Sequence, residues 1–144
     1  AEVDVAGLDS RRETLARDFG ASRYWTAADA PERTYDAVID CTGDETVPAL
    51  ALPYVEPGGR MVYIGLSRVP SLVDTRTIAL NDITAVGILG ASAGLAAAIE
   101  HYADGRVDPR PLARLTVGLD DAAAALAGHL DPGAGTKIHV DPRR

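Results

Sequence analysis

Two short apolar runs, Tyr35 to Cys41 (YDAVIDC) and Met61 to Leu66 (MVYIGL), flank a segment of helical length from Glu45 to Val55. This arrangement within residues 34–67 constrains the fold more than any other feature of the chain. Runs that are apolar on both faces suit strands buried between two layers, as parallel strands are. Strand, helix and strand within about 30 residues predict a βαβ unit with a right-handed crossover. The second run is entered through a predicted turn, Glu56-Pro57-Gly58-Gly59. Each strand ends in a glycine, Gly43 or Gly65, where backbone can approach a ligand at the carboxyl edge of a sheet.

The flanking sequence alternates in the same way. Val3 to Leu8 reads as a strand that ends at Asp9. Ser10 is expected to cap the following helix, with Glu13 completing a capping box. That helix runs to about Phe19, with Leu15, Ala16 and Phe19 on one face and Gly20 as a left-handed stop. Arg23 to Thr26 fits a short edge strand. In the central helix Pro48 suits the first turn and Pro53 frays the last. Thr75 to Leu80 forms a short helix, and Ile83 to Leu89 a further strand. Ser92 is expected to cap a helix with Leu95, Ile99 and Tyr102 on one side, ended by Asp104-Gly105. Leu115 to Gly118 is extended, and Asp120 caps an alanine-rich helix reaching about Leu130. Residues 132–135 make a turn, and Thr136 to Val140 the last strand. The pattern predicts one α/β domain: an open, doubly wound, mostly parallel sheet covered by helices.

Composition narrows the function classes. The 144 residues carry a formal charge of −7 and no basic cluster beyond Arg11-Arg12 and Arg143-Arg144, which argues against a nucleic-acid partner. A single cysteine, Cys41, leaves no internal disulfide and no cysteine-rich zinc site. No stretch approaches a membrane span in length and no signal peptide is evident, so the cytoplasm is the expected compartment. The sequence opens on Ala1 and runs at once into a predicted strand, from which further sequence upstream is expected.

Several residues could carry chemistry. Asp9, ending a strand, could accept hydrogen bonds from adenosine ribose hydroxyls, or merely favour a helix start. Arg11 and Arg12 could stack on adenine or hold a 2′-phosphate, or simply be solvated. Cys41-Thr42-Gly43 and Ile64-Gly65-Leu66 end adjacent strands, where a cofactor lies or where chains merely turn. Cys41 is expected to be a small buried filler rather than a nucleophile, with no base near it in sequence. His101, His129 and His139 lack metal-ligand spacing, so no metal site is expected within these residues. Lys137 could reach a phosphate or be a solvated edge lysine.

In order along the chain, VAGLDSRRETLARDFGAS, YDAVIDCTG, PGGRMVYIGLS, ITAVGILGAS and GTKIHV resemble the carboxyl-terminal part of a medium-chain dehydrogenase/reductase, the zinc-type alcohol dehydrogenase superfamily. The resemblance implies a Rossmann-like sheet without its first strand and glycine loop, and the cofactor-binding part of an NAD(P)-dependent oxidoreductase. Such an enzyme moves hydride to or from a small alcohol, carbonyl or enone. By the same resemblance, Asp9 binds the adenosine ribose, and Ser10 and Arg11 border the adenine. Cys41, Thr42 and Gly43 line the floor beneath the ribose. Ile64 and Leu66 offer backbone groups to the nicotinamide carboxamide, Gly65 allows close approach, Ile88 and Leu89 lie near the ring, and Lys137 lies near the pyrophosphate. NAD is favoured over NADP because Asp9 repels a 2′-phosphate, although Arg11 and Arg12 pull the other way. A homodimer through the Ile83–Leu89 edge strand is implied. No catalytic residue is assigned, and any zinc would belong to a catalytic domain outside these residues. The fragment alone is expected to be inactive and to bind NAD weakly. The gap left by the first strand is expected to close by direct pairing of its neighbours or to be filled from elsewhere. The alternative is a non-catalytic Rossmann-like nucleotide-binding or interaction module, which the upstream reading frame distinguishes.

Overall fold

The computed structural model describes residues 1–29, 31–90, 93–131 and 137–144. The chain divides into two compact units: Glu32–Leu95, and Ala1–Pro31 together with Ala96–Arg144. The central unit contains the predicted βαβ and forms one parallel sheet. Its strands are β3 (Tyr35–Asp40), β4 (Val55–Tyr63) and β5 (Thr84–Gly87), in the order β3-β4-β5. Helix α2 (Val47–Ala51) crosses from β3 to β4, with Pro48 at its buried first turn. Pro53 lies in a single 3-10 turn, Leu52–Tyr54, as the loss of its N–H predicts. Helix α3 (Thr75–Leu80) follows a loop and is capped by Asp74, whose carboxylate accepts the Arg76 N–H.

The core of this unit is Leu52, Val55, Met61 and Ile83, with Val38, Ala51, Tyr63, Val73 and Ile78 packed against it. It lies on one face of the sheet. Alternate strand residues point to opposite faces, and Ile39, between Val38 and Asp40, is 58 % exposed. Ile39 departs from the expectation of burial on both faces: the apolar run YDAVIDC uses Val38 for the core and leaves Ile39 exposed. The predicted turn at residues 56–59 is also corrected. These residues belong to β4, and the pairing steps from Tyr35↔Val55 to Ala37↔Arg60 across an irregularity. Gly58 has φ +78° and its N–H reaches the Asn81 carbonyl at 2.8 Å, so a turn-like sequence is accommodated inside a strand.

The other unit holds two parallel pairs. β1 (Asp4–Gly7) pairs with β2 (Arg23–Thr26), and β6 (Ala113–Val117) with β7 (Lys137–Val140). β1 and β3 belong to different sheets. Helix α1 (Glu13–Asp18) packs through Leu15 and stops at Gly20, φ +91°. Phe19, expected on the packed face, is exposed. The cap here is Asp9, not Ser10: its side chain accepts the Arg11 N–H at the start of a 3-10 turn, Ser10–Arg12, that precedes α1. Helix α4 (Leu95–Ala103) ends near Gly105 (φ +69°) and buries no residue, and Leu95, Ile99 and Tyr102 are exposed. Helix α5 (Ala122–Leu126) is shorter than expected and has Asp121, without a side-chain bond, at the position expected for Asp120. The expected Ser92 cap and the turn at residues 132–135 lie outside the described residues. No described helix is long and apolar enough to cross a membrane.

Candidate functional site

Parallel pairing brings the carboxyl ends of β3, β4 and β5 to one edge. Asp40 is in register with Tyr63, and Tyr63 with Gly87. The ladder continues past the strands: the Ile64 N–H donates to the Asp40 carbonyl and the Ile88 N–H to the Tyr63 carbonyl, both at 2.9 Å. The edge therefore unites Cys41–Thr42–Gly43, Ile64–Gly65–Leu66 and Ile88–Leu89, three groups the sequence singled out separately. Ile64, Leu66 and Leu89 are exposed there, the last two at 72 % and 77 %.

Glycine is required at the centre of this edge. A Cβ on Gly65 would overlap the Thr42 carbonyl, and one on Gly43 would lie 3.3 Å from the Leu66 carbonyl. The two strand-end turns thus touch backbone to backbone. Thr42 is fixed by Asp40, whose Oδ1 accepts both the Thr42 N–H and its hydroxyl, each at 2.8 Å. The pattern repeats one step on, where Asp44 Oδ1 accepts the Thr46 N–H at 2.8 Å and its hydroxyl at 2.6 Å. These bonds hold the Asp44 carboxyl below its usual range, the Thr46 hydroxyl contributing most. Sequence reasoning missed Asp40 and Asp44, although Asp-x-Thr occurring twice, four residues apart, was the available signal. Tyr63 stands beside Asp40 in register. Burial, then the Asp40 charge, raises its phenol above the ordinary value. Cys41 is exposed, not the buried filler expected, because it follows the last β3 residue and leaves the packed face.

In the other unit, Asp9 lies two residues beyond the end of β1. Its Oδ1 accepts the Arg11 N–H, and its Oδ2 accepts Arg11 Nε at 2.9 Å and Nη2 at 2.6 Å. The Arg11 bond holds the Asp9 carboxyl below 3.8. Tyr24 reaches across from β2, its hydroxyl donating to the Asp9 carbonyl at 2.7 Å. A side chain at Gly7 would overlap that tyrosine ring, so Gly7 makes room for the contact. This Gly7–Tyr24 support was not visible in sequence, because neither residue marks a motif. Ser10 and Arg11 are exposed beside Asp9. Lys137, also exposed, borders a shallow apolar depression with Ala122, Leu126 and Ile138. Among the described residues no group of three or more His, Cys, Asp or Glu side chains gathers to hold a metal ion.

The Thr42, Ile64, Gly65 and Ile88 N–H groups are taken up by hydrogen bonds within the β3-β4-β5 edge, so what the edge offers a ligand is its surface. The side-chain positions of Gly43 and Gly65 are filled by the Leu66 and Thr42 backbones, while exposed Ile64, Leu66 and Leu89 offer an apolar surface to a planar ring.

A family model described as zinc-binding dehydrogenase matches residues 1–104. The fold is similar to a short chain alcohol dehydrogenase of Escherichia coli complexed with NADH, at 20 % identity and a TM-score of 0.83 over 95 % of this chain and 43 % of that one. It is similar to 2R,3R-butanediol dehydrogenase from Bacillus subtilis, at 18 % identity and a TM-score of 0.83 over 98 % and 44 %. A zinc-binding dehydrogenase of Sinorhizobium meliloti bound to NADP matches at 17 % identity and a TM-score of 0.86 over 99 % and 45 %. The chain thus spans less than half the length of these structures.

Proposed function

The chain belongs to the zinc-binding dehydrogenase family, and from that premise we propose that it supplies the nicotinamide-binding part of an oxidoreductase. The complete enzyme would transfer hydride between NAD(P) and a small alcohol, carbonyl or enone. The observation that carries this reading is the shared carboxyl edge of β3, β4 and β5, where the Thr42 and Gly65 backbones meet. There Cys41, Thr42 and Gly43 would support the ribose, Ile64 and Leu66, on either side of Gly65, would present backbone groups to the carboxamide, and Ile88 and Leu89 would flank the ring. Asp9 would take the adenosine ribose, with Ser10 and Arg11 on the adenine side, and Lys137 would serve the pyrophosphate. When bound, the nicotinamide carries the hydride; the chain's own residues orient it and shield it from water.

NAD is the proposed cofactor in preference to NADP, since the Asp9 carboxylate accepts hydroxyls and repels a phosphate. Two further proposals accompany it. The exposed β5 edge would pair two copies into a dimer, supported by a strand whose four residues are all exposed. Residues 1–144 alone would bind cofactor weakly, because they contain no G-x-G-x-x-G loop to cradle the pyrophosphate. The cytoplasm is the proposed compartment. Fluorescence titration of the full-length protein tests the reading. Saturable NADH binding that is tighter than NADPH binding is expected; absence of binding by either would contradict it.

A further inference from the structure

Among the described residues Asp40 is the one buried charged side chain, 4 % exposed at the last position of β3. Burying a carboxylate is costly unless its oxygens are satisfied, and here the satisfaction comes from the neighbouring turn. Oδ1 accepts both donors of Thr42 at 2.8 Å, while the Asp40 main-chain carbonyl accepts the Ile64 and Gly65 N–H groups, both at 2.9 Å. One residue thus ties the turn after β3 to the turn after β4. The tie is tight, because any side chain on Gly65 would overlap the Thr42 carbonyl.

We infer that Asp40 is the positioning residue for the nicotinamide half of the cofactor, an inference that rests on the cofactor reading above. Its carboxylate is buried and acts through Thr42. By taking the Thr42 N–H and hydroxyl together it fixes the direction of the Cys41–Thr42–Gly43 backbone, and so which groups that turn presents at the edge. The neighbouring Tyr63 has no part in this: its buried hydroxyl has no hydrogen-bond partner among the described residues. Asparagine could replace Asp40 with its amide oxygen in the place of Oδ1, retaining both bonds, whereas alanine could not.

The test compares Asp40→Ala, Asp40→Asn and Tyr63→Phe in the full-length protein by titration with NADH and with ADP, which lacks the nicotinamide half. For Asp40→Ala the NADH Kd is expected to rise about tenfold, as loss of two modest hydrogen bonds implies, with ADP binding unchanged. Asp40→Asn should restore NADH binding to near wild type, and Tyr63→Phe should leave it there. If Asp40→Ala does not fold, Thr42→Val, which loses the hydroxyl bond to Oδ1 and keeps the N–H bond, takes its place: NADH binding weakened at constant ADP binding supports the assignment, and wild-type binding overturns it. Unchanged NADH binding by Asp40→Ala, or equal losses for NADH and ADP, would also overturn it. A wild-type protein that does not bind NADH overturns the cofactor reading itself and this assignment with it.

Discussion

Asp9 forms an ion pair with the guanidinium of the arginine two positions on, as do Asp104 with Arg106, Asp108 with Arg110 and Asp141 with Arg143. The pairing is a local device of Asp-x-Arg sequences, so Arg11 alone does not mark a phosphate site. It does bear on cofactor choice. A carboxylate has about four acceptor positions, and Asp9 gives three hydrogen bonds' worth to Arg11. Two ribose hydroxyls therefore require Arg11 to turn aside. Arg11→Ala should free the carboxylate and raise the preference for NADH over NADPH several-fold in paired titrations; an unchanged or reversed ratio would contradict this. The carboxyls of Asp9, Asp108 and Asp141 are all held below 3.8, chiefly by the arginine side-chain bonds. A depressed folded-state value makes the contribution present above the unfolded value and lost as pH falls through the folded one. Thermal unfolding should therefore move to lower temperature as pH drops below about 4, only modestly because the pairs are exposed. Gly65→Ala should cost on the order of 3 kcal/mol in denaturant unfolding, as overpacking against backbone does. A loss of a few tenths would show that the Thr42–Gly65 contact relaxes freely.

The β3–β4 pair shows where sequence reading succeeds and where it stops. β3 falls where the run YDAVIDC places it and α2 begins beside Pro48, since buried apolar residues and proline restraints act locally. By contrast, α2 stops at Ala51 and β4 spans Val55–Tyr63, starting ahead of the run MVYIGL. The misread stretch, Glu56 to Gly59, is composed like a turn and becomes a strand irregularity only because β3 lies beside it. A Cβ at Gly59 would meet the Asp36 and Glu56 carbonyls at 2.9 and 2.8 Å, which no local pattern reveals. Ser10 was a plausible cap by residue type, but the chain turns one residue earlier and gives that role to Asp9. Asp40 was hidden inside an apolar run, since burial depends on which face of β3 meets α2 and β4. The same irregularity sets Glu56 against Asp36, and the hydrogen bond and charge of Asp36 raise the Glu56 carboxyl above 4.5. An acid whose folded value is raised favours folding below that value and opposes it above. Glu56→Gln should accordingly raise the unfolding temperature at pH 7, with the gain fading as pH falls toward 4. A gain independent of pH would rule out the carboxylate pair as its cause.

At the scale of the whole molecule, the parallel pairings β1-β2 and β3-β4-β5 fit the alternation of strands and helices expected from sequence. Separate local patterns specify each unit, but no periodicity states which strands share a sheet. The proposed dimer would use β5, where Val86 stands exposed on the edge strand. Sedimentation equilibrium of the full-length protein should give a dimer at micromolar concentration, and Val86→Lys should shift it toward monomer; a wild-type monomer would contradict the proposal. The central claim is that nicotinamide cofactor meets this chain at the carboxyl edge of β3, β4 and β5. Its most direct test is amide hydrogen exchange on the full-length protein with and without saturating NADH. Slowed exchange is expected at residues 41–44, 64–66 and 88–89, while the exposed helix α4 is unchanged. Saturable NADH binding with no protection at those three turns would contradict it.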